Sequence, residues 1–191
     1  MDKTLILLKP DAVKRGLIGE ILGRFEKMGL KITALKMLTL DKERVGNHYT
    51  VDPVYARIVG QKTVEGYAKQ NLDPSVHYGT NDPEVIGQKI REQNITFLTS
   101  GPVVIAILEG HQAVSQVRAI VGHTVPAVSA PGTIRGDLAL ESPISAGKRG
   151  QTIYNLVHAS GSSEEAEREI ALWFNPEELQ SYKRVEEYLF D

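Results

Sequence analysis

The 191-residue chain contains no cysteine, which excludes a disulfide framework, a Cys-ligated zinc and a thiol nucleophile. Long apolar runs are missing too. The stretch that follows Met1-Asp2-Lys3-Thr4 stops at Lys9-Pro10-Asp11, too early for a signal-peptide core. No run approaches the roughly 18 residues of a transmembrane helix. The expectation is a cytoplasmic protein without a membrane partner. No sign of charge dominates: 22 Lys+Arg face 24 Asp+Glu, a net charge of −2. That disfavours a basic nucleic-acid coat but leaves room for a local cationic pocket. Aromatic side chains are scarce at 6%, and the candidate strands 5–8 and 102–108 carry none, which argues against base stacking on a sheet. The common phosphate and metal signatures are absent as well. Gly147-Lys148 is followed by Arg149 and lacks the upstream glycine of a phosphate loop, and no G-x-G-x-x-G, H-E-x-x-H or EF-hand pattern occurs. The histidines at 48, 77, 111, 123 and 158 show no metal-ligand spacing.

What is present reads as an ordinary globular protein, long enough to bury a core without staples. Leu5–Leu8 has the look of a buried strand ending in a turn. Ile18, Ile21, Leu22 and Phe25 follow at helical spacing, and the helix closes near Gly29. Residues 30–40 return to strand character, and 41–49 form a short charged helix. From Val54 to Thr99, Gly60, Gly66, Asn71-Leu72-Asp73-Pro74 and Gly79-Thr80-Asn81-Asp82-Pro83 read as turns between short helical pieces, with one helix over 83–94. Pro102–Leu108 is the strongest strand, and Ala113, Val117, Ile120 and Val121 make a helix ending at Gly122. A long loop spans 122–137, 141–150 is a polar, glycine-bearing stretch, and Ile153–Val157 is a last strand. Ser162 and Glu165 suggest a capping box for a helix that turns Ala166, Ile170, Trp173 and Phe174 inward. The order predicts an α+β fold: ferredoxin-like βαββαβ with a four-stranded antiparallel sheet, helices packed on it, and an inserted helical segment.

Without a phosphate loop, scattered cations must serve any anionic ligand. Lys9 ends the first strand. Arg118 lies on the helix leading into Gly122-His123-Thr124. Arg135 sits in Pro131-Gly132-Thr133-Ile134-Arg135-Gly136-Asp137, where glycines let backbone approach a ligand. Guanidinium forks suit phosphate oxygens, although a lone cation is most often a solvated surface charge. His158 closes the last strand at the turn into an acid-rich helix, a place where side chains project into clefts. A neutral imidazole is a competent nucleophile, and Glu169 stands one to two turns on, where it could accept the other ring N–H. Spacing alone equally allows a strand-end histidine bonded to a carbonyl.

Five segments resemble nucleoside diphosphate kinases, in the family's order: Lys9-Pro10-Asp11-Ala12-Val13, Ser100-Gly101-Pro102-Val103-Val104, the 131–137 loop, Asn155-Leu156-Val157-His158-Ala159-Ser160, and Glu169-Ile170-Ala171-Leu172-Trp173-Phe174. The resemblance spans residues 3–50 and 100–182. It implies reversible γ-phosphoryl transfer from a nucleoside triphosphate to a nucleoside diphosphate through phosphohistidine at His158. It further implies that Lys9, Arg118, Thr124 and Arg135 hold phosphates, that Asn155 contacts the sugar, that Tyr49 stands beside the histidine, and that Ser160 and Glu169 hold the imidazole. It implies Mg²⁺ carried by nucleotide phosphates rather than by a protein metal site, and a homo-oligomer built from dimers. The rival is a non-catalytic nucleotide-binding or assembly module on the same fold, which predicts loss of His158 or of the cations. One domain over 1–191 is expected, with insertions at about 54–98 and 141–150. The first insertion leaves Tyr55, Tyr67, Tyr78 and the 86–98 helix region competing to supply the residue that stacks on the base. It is either a helical lid on the base side or a surface hairpin for assembly.

Overall fold

A computed structural model describes residues 1–49, 52–185 and 187. Its sheet has four strands in the order β2-β3-β1-β4: β1 (Asp2–Leu8), β2 (Lys31–Thr39), β3 (Pro102–Gly110) and β4 (Val157–Ala159), and every neighbouring pair is antiparallel. With α2 (Ile18–Lys27) between β1 and β2 and α7 (Ala113–Val121) between β3 and β4, this is the expected ferredoxin-like arrangement. The continuous apolar text of β1 has a direct cause: both faces of the sheet are covered. Ile6 and Leu8 face Ile21, Phe25, Val117 and Val121, while Leu5 and Leu7 face Val45, Leu98, Trp173 and Phe174. The second layer is supplied by α3 (Lys42–His48), α10 (Ser163–Trp173) and the end of α6 (Pro83–Leu98).

The segment between α3 and β3 is a helical hairpin rather than a set of short pieces. Asp52-Pro53 and Asp82-Pro83 start α4 (Pro53–Ala68) and α6 alike: each aspartate accepts from a backbone N–H at the helix start, and proline fills the first helical position. Gly60 and Gly66, read as turns, lie inside α4. Gly60 is there for packing: a Cβ would sit 1.7 Å from the Pro83 carbonyl oxygen, and one on Gly87 would sit 1.9 Å from that of Ala56. The two glycines let the helix backbones touch.

The 141–150 stretch is also not a loop. It forms α9 (Pro143–Lys148), opened by a Ser142/Ser145 capping box. Ile144 packs with Tyr67, Tyr78 and Ile86 in a small core of its own, next to α5 (Ser75–Tyr78), and the Tyr67 hydroxyl meets His77 Nδ1 at 2.9 Å. The two insertions therefore pack on each other. The 122–137 segment contains a 3₁₀ turn at Pro126–Val128 and the start of α8 (Ile134–Leu138). In α10, Ser162 caps the Glu165 N–H, but the Glu165 carboxylate turns back to the Gly161 N–H, so the expected reciprocal box is half formed.

Candidate active site

β1 and β4 together place Lys9 and His158. His158 pairs with Leu7 in the middle of β4, not at the end of a longer strand: Ile153–Leu156 is irregular, and β4 begins only at Val157. The reason is Leu156, whose φ of 68° lies in the left-handed region and cannot continue a strand. α10 then carries Glu169 back over β1. The Glu169 carboxylate lies 2.8 and 3.0 Å from His158 Nε2, and its second oxygen accepts from the Ser160 hydroxyl at 2.7 Å. Ser160 thus holds Glu169 rather than the imidazole, and accepts from the Leu5 N–H as well. With Nε2–H donating to the carboxylate, the proton is off Nδ1, which has no hydrogen-bond partner among the described residues. Burial pushes the fully buried Glu169 up, but the His158 ring, its hydrogen bond, His48 and Ser160 outweigh that and hold it below the ordinary carboxylate value.

The cations fall into two kinds. Lys9 and Arg135 are buried. Lys9 Nζ donates to Asn155 Oδ1 at 2.8 Å, and Asn155 Nδ2 donates to the Thr124 carbonyl at 2.8 Å. Arg135 spends its donors on backbone: Nε on Asn155 O, one terminal nitrogen on Gly122 O at 3.0 Å, the other on Val157 O. It ties the 122–137 segment to β4 and keeps only part of its fork for a ligand. Arg118 and the Thr124 side chain are exposed, and Arg118 has no ion pair among the described residues. Burial, then repulsion from Arg135, lowers Lys9 to about 8, with Asp11 opposing. Burial, then Arg118, lowers Arg135 to about 10. Lys9 is repelled by Arg135 and Arg135 by Arg118, which makes a site short of an anion.

Sequence reasoning missed His48. Its ring stands edge-on to that of His158 with centroids 4.5 Å apart, and the Tyr49 ring packs edge-on to His48 at 5.0 Å. Trp173 Nε1–H donates to His48 Nδ1 at 3.3 Å, so the ring proton sits on Nε2, which is buried without a partner among the described residues. Burial, then the neighbouring His158, lowers His48 to about 3 and keeps it neutral. No spacing rule finds it; the one signal was its place next to Tyr49. Of the aromatic candidates on the insertion, Tyr67 and Tyr78 are buried in its core, while Tyr55 on α4 keeps about half its surface (53%). The Tyr55 phenol is pushed up by burial of the hydroxyl end, then by the carboxylates of Glu165 and Glu169, which marks it as a neighbour of the site. α6 braces the same region: Arg91 caps the end of α3 through the Tyr49 and Gly46 carbonyls, and Asn94 accepts from Thr152 at 2.6 Å.

The family model described as nucleoside diphosphate kinase matches residues 2–59 and 57–179. The chain belongs to the nucleoside diphosphate kinase family. It is a kinase that transfers phosphoryl groups between nucleotides. The curated nucleoside diphosphate kinase of Pyrobaculum aerophilum is 48% identical over 179 residues, 94% of this chain and 98% of the relative. That of Pyrococcus furiosus is 39% identical over 190 residues, covering 100% and 93%. A crystal structure of an NDP kinase from P. aerophilum aligns with a TM-score of 0.90 at 46% identity, over 94% of this chain and 99% of that one. A transition-state mimic of the Borrelia burgdorferi nucleoside diphosphate kinase, with bound vanadate and ADP, aligns with a TM-score of 0.78 at 34% identity, covering 97% and 94%.

The donors of this kinase do not fit a resident magnesium ion. The one group of potential ligands among the described residues is His48, His158 and Glu169, with ligand atoms within 4.8 Å of one another. Two imidazoles and a carboxylate already bonded to one of them are a poor match for a cation that takes oxygen ligands.

Proposed function

We propose that His158 accepts the γ-phosphoryl group on Nδ1 and passes it to a bound nucleoside diphosphate, a two-step ping-pong exchange. The observation that carries this is the Nε2 contact to Glu169, which leaves Nδ1 with a free lone pair at the cationic end of the site. In the first step the Nδ1 lone pair forms the N–P bond while the bond from the γ-phosphorus to the bridging oxygen breaks, and the nucleoside diphosphate leaves. The second step reverses this with another diphosphate. Glu169 stabilises the charge that the imidazole acquires, and no base is needed because Nδ1 carries no proton. Catalysis is then positioning and charge neutralisation around the equatorial oxygens. Lys9 and Arg118 meet the phosphates, with Arg135 contributing its remaining N–H groups and Thr124 its hydroxyl. Asn155, oriented by Lys9 and the Thr124 carbonyl, faces the sugar. Mg²⁺ enters as part of the substrate, on the nucleotide phosphates. The transition-state mimic of the B. burgdorferi relative, with bound vanadate and ADP, supports phosphoryl transfer to or from a nucleoside diphosphate.

The 54–98 insertion reads as a wall on the base side, with Tyr55 as the residue offered to the base, since Tyr67 and Tyr78 are used up in packing. A stacking contact accepts any base. The homo-oligomer built from dimers and the cytoplasmic location stay part of the proposal.

Initial rates at several fixed diphosphate concentrations test the scheme. Parallel double-reciprocal lines are expected, and intersecting lines would mean direct transfer in a ternary complex.

A further inference from the structure

The backbone two residues before His158 is bent against its preference. Leu156 has a φ of 68°, and the Val157 N–H donates to the Asn155 carbonyl at 2.7 Å across it. An i to i+2 bond around a positive φ is the rare, strained form of the γ-turn, and Leu156 is neither glycine nor asparagine. Such a turn persists only where its surroundings over-determine it, and here every peptide unit is gripped. The Lys9 N–H donates to Leu156 O at 2.8 Å, and Arg135 takes the Asn155 and Val157 carbonyls. The remaining grip comes from a residue to which neither the sequence nor the site chemistry gave a task. Asp11 Oδ2 accepts the Leu156 N–H at 3.1 Å, while Oδ1 is buried without a partner among the described residues.

Burying a carboxylate costs free energy unless it is used. Asp11 is 8% exposed; beside the Lys9 charge and the N–H groups of its own turn, what its side chain bonds across the chain is one backbone N–H at the centre of the Leu156 turn. We propose that Asp11 is a positioning residue: its carboxylate holds the strained turn at Leu156, which sets where β4 starts and so where His158 Nδ1 points. It acts on the height of the transfer barrier, not on nucleotide affinity. The inference rests on the reading of His158 as phosphoryl acceptor.

The test compares Asp11→Asn, Asp11→Ala and the space-filling Asp11→Leu in steady-state transfer between two nucleotides. The assay is run about one pH unit below the Lys9 value of about 8, so that Lys9 stays charged in each variant. Asn keeps an oxygen for the Leu156 N–H; Ala and Leu do not. The account expects kcat to fall about ten- to hundredfold in Ala and Leu, with KM changed less than about threefold, and Asn to stay within about threefold of wild type. Thermal midpoints above the assay temperature show that the compared proteins are folded. Ala or Leu protein with kcat within about twofold of wild type overturns the proposal, as does a rise in KM at unchanged kcat. If neither folds, Asn decides alone: a loss beyond about tenfold shows that charge rather than an acceptor is needed, and the proposal fails. These readings are ratios of overall transfer, so they stand apart from the phosphohistidine reading, which fails or holds on where label is found.

Discussion

The site works through a few side chains whose states are set by neighbours, and the sharpest consequence concerns Lys9. Its folded value of about 8 means that the ammonium is charged below that pH and neutral above it. A neutral amine gives a phosphate nothing to pair with, so kcat/KM should fall as pH rises through about 8. Bound phosphates favour the charged form, so kcat at saturating nucleotide should hold to higher pH. A kcat/KM profile that stays flat well past that value would show that Lys9 is not the phosphate partner. Arg118 is the exposed, unpaired cation, and Arg118→Ala should cost about 1.5–3 kcal/mol of nucleotide binding, read as a rise in KM. Lys9, His158 and Glu169 could be singled out in the sequence because Lys9 follows an apolar run at a turn, His158 stands shortly before the turn into an acid-rich helix, and Glu169 lies on that helix. The fixed tasks of Ser160 and Arg135 could not: the one bonds Glu169 and the other backbone carbonyls, and both depend on which strand lies next to which. His48 stayed hidden for the same reason, since the contact with His158 crosses 110 residues of chain.

Among the elements, apolar periodicity located α2, β3, α7 and α10 because their sequence patterns match the faces they bury. It misjudged β4, where one residue at positive φ delays the start of the strand to Val157 although Ile153–Val157 is apolar but for Asn155. It misjudged the insertion through its glycines. Gly60 and Gly66 look like turns when local conformation is the guide, yet Gly60 and Gly87 are there to let two helices touch. Gly87→Ala should therefore force the hairpin apart and destabilise the protein by about 1–3 kcal/mol or more, measured by denaturant or thermal unfolding. An unchanged midpoint would mean that α4 and α6 do not pack this closely. The hairpin is proposed as the base-side wall, so deletion of 57–96 should raise KM differently for purine and pyrimidine diphosphates. Equal values before and after deletion would reduce it to a surface hairpin.

At the scale of the molecule, a chain with near-balanced charge still sets Lys9 and Arg118 close enough to Arg135 to be felt by it, the grouping proposed to meet a polyanionic substrate. Segments 54–98 and 141–150 stood out in the sequence as candidate insertions. That the insertions share a core did not, because Ile144 meets Tyr67 only once α9 has formed, and nothing in its polar text announces a buried face. With no fitting cage for magnesium, Mg²⁺ or a chelator alone should leave the melting temperature of the nucleotide-free protein unchanged. Chelation should still abolish transfer, since the ion is proposed to travel on the substrate. A lowered melting temperature in chelator would point to a resident metal instead. The most direct measurement is brief incubation with γ-labelled ATP and Mg²⁺, followed by addition of GDP. Acid-labile label should appear on the wild-type protein, move into GTP on the chase, and be absent from His158→Ala. No label on wild type, or equal labelling of His158→Ala, would contradict the central claim that His158 carries the phosphoryl group.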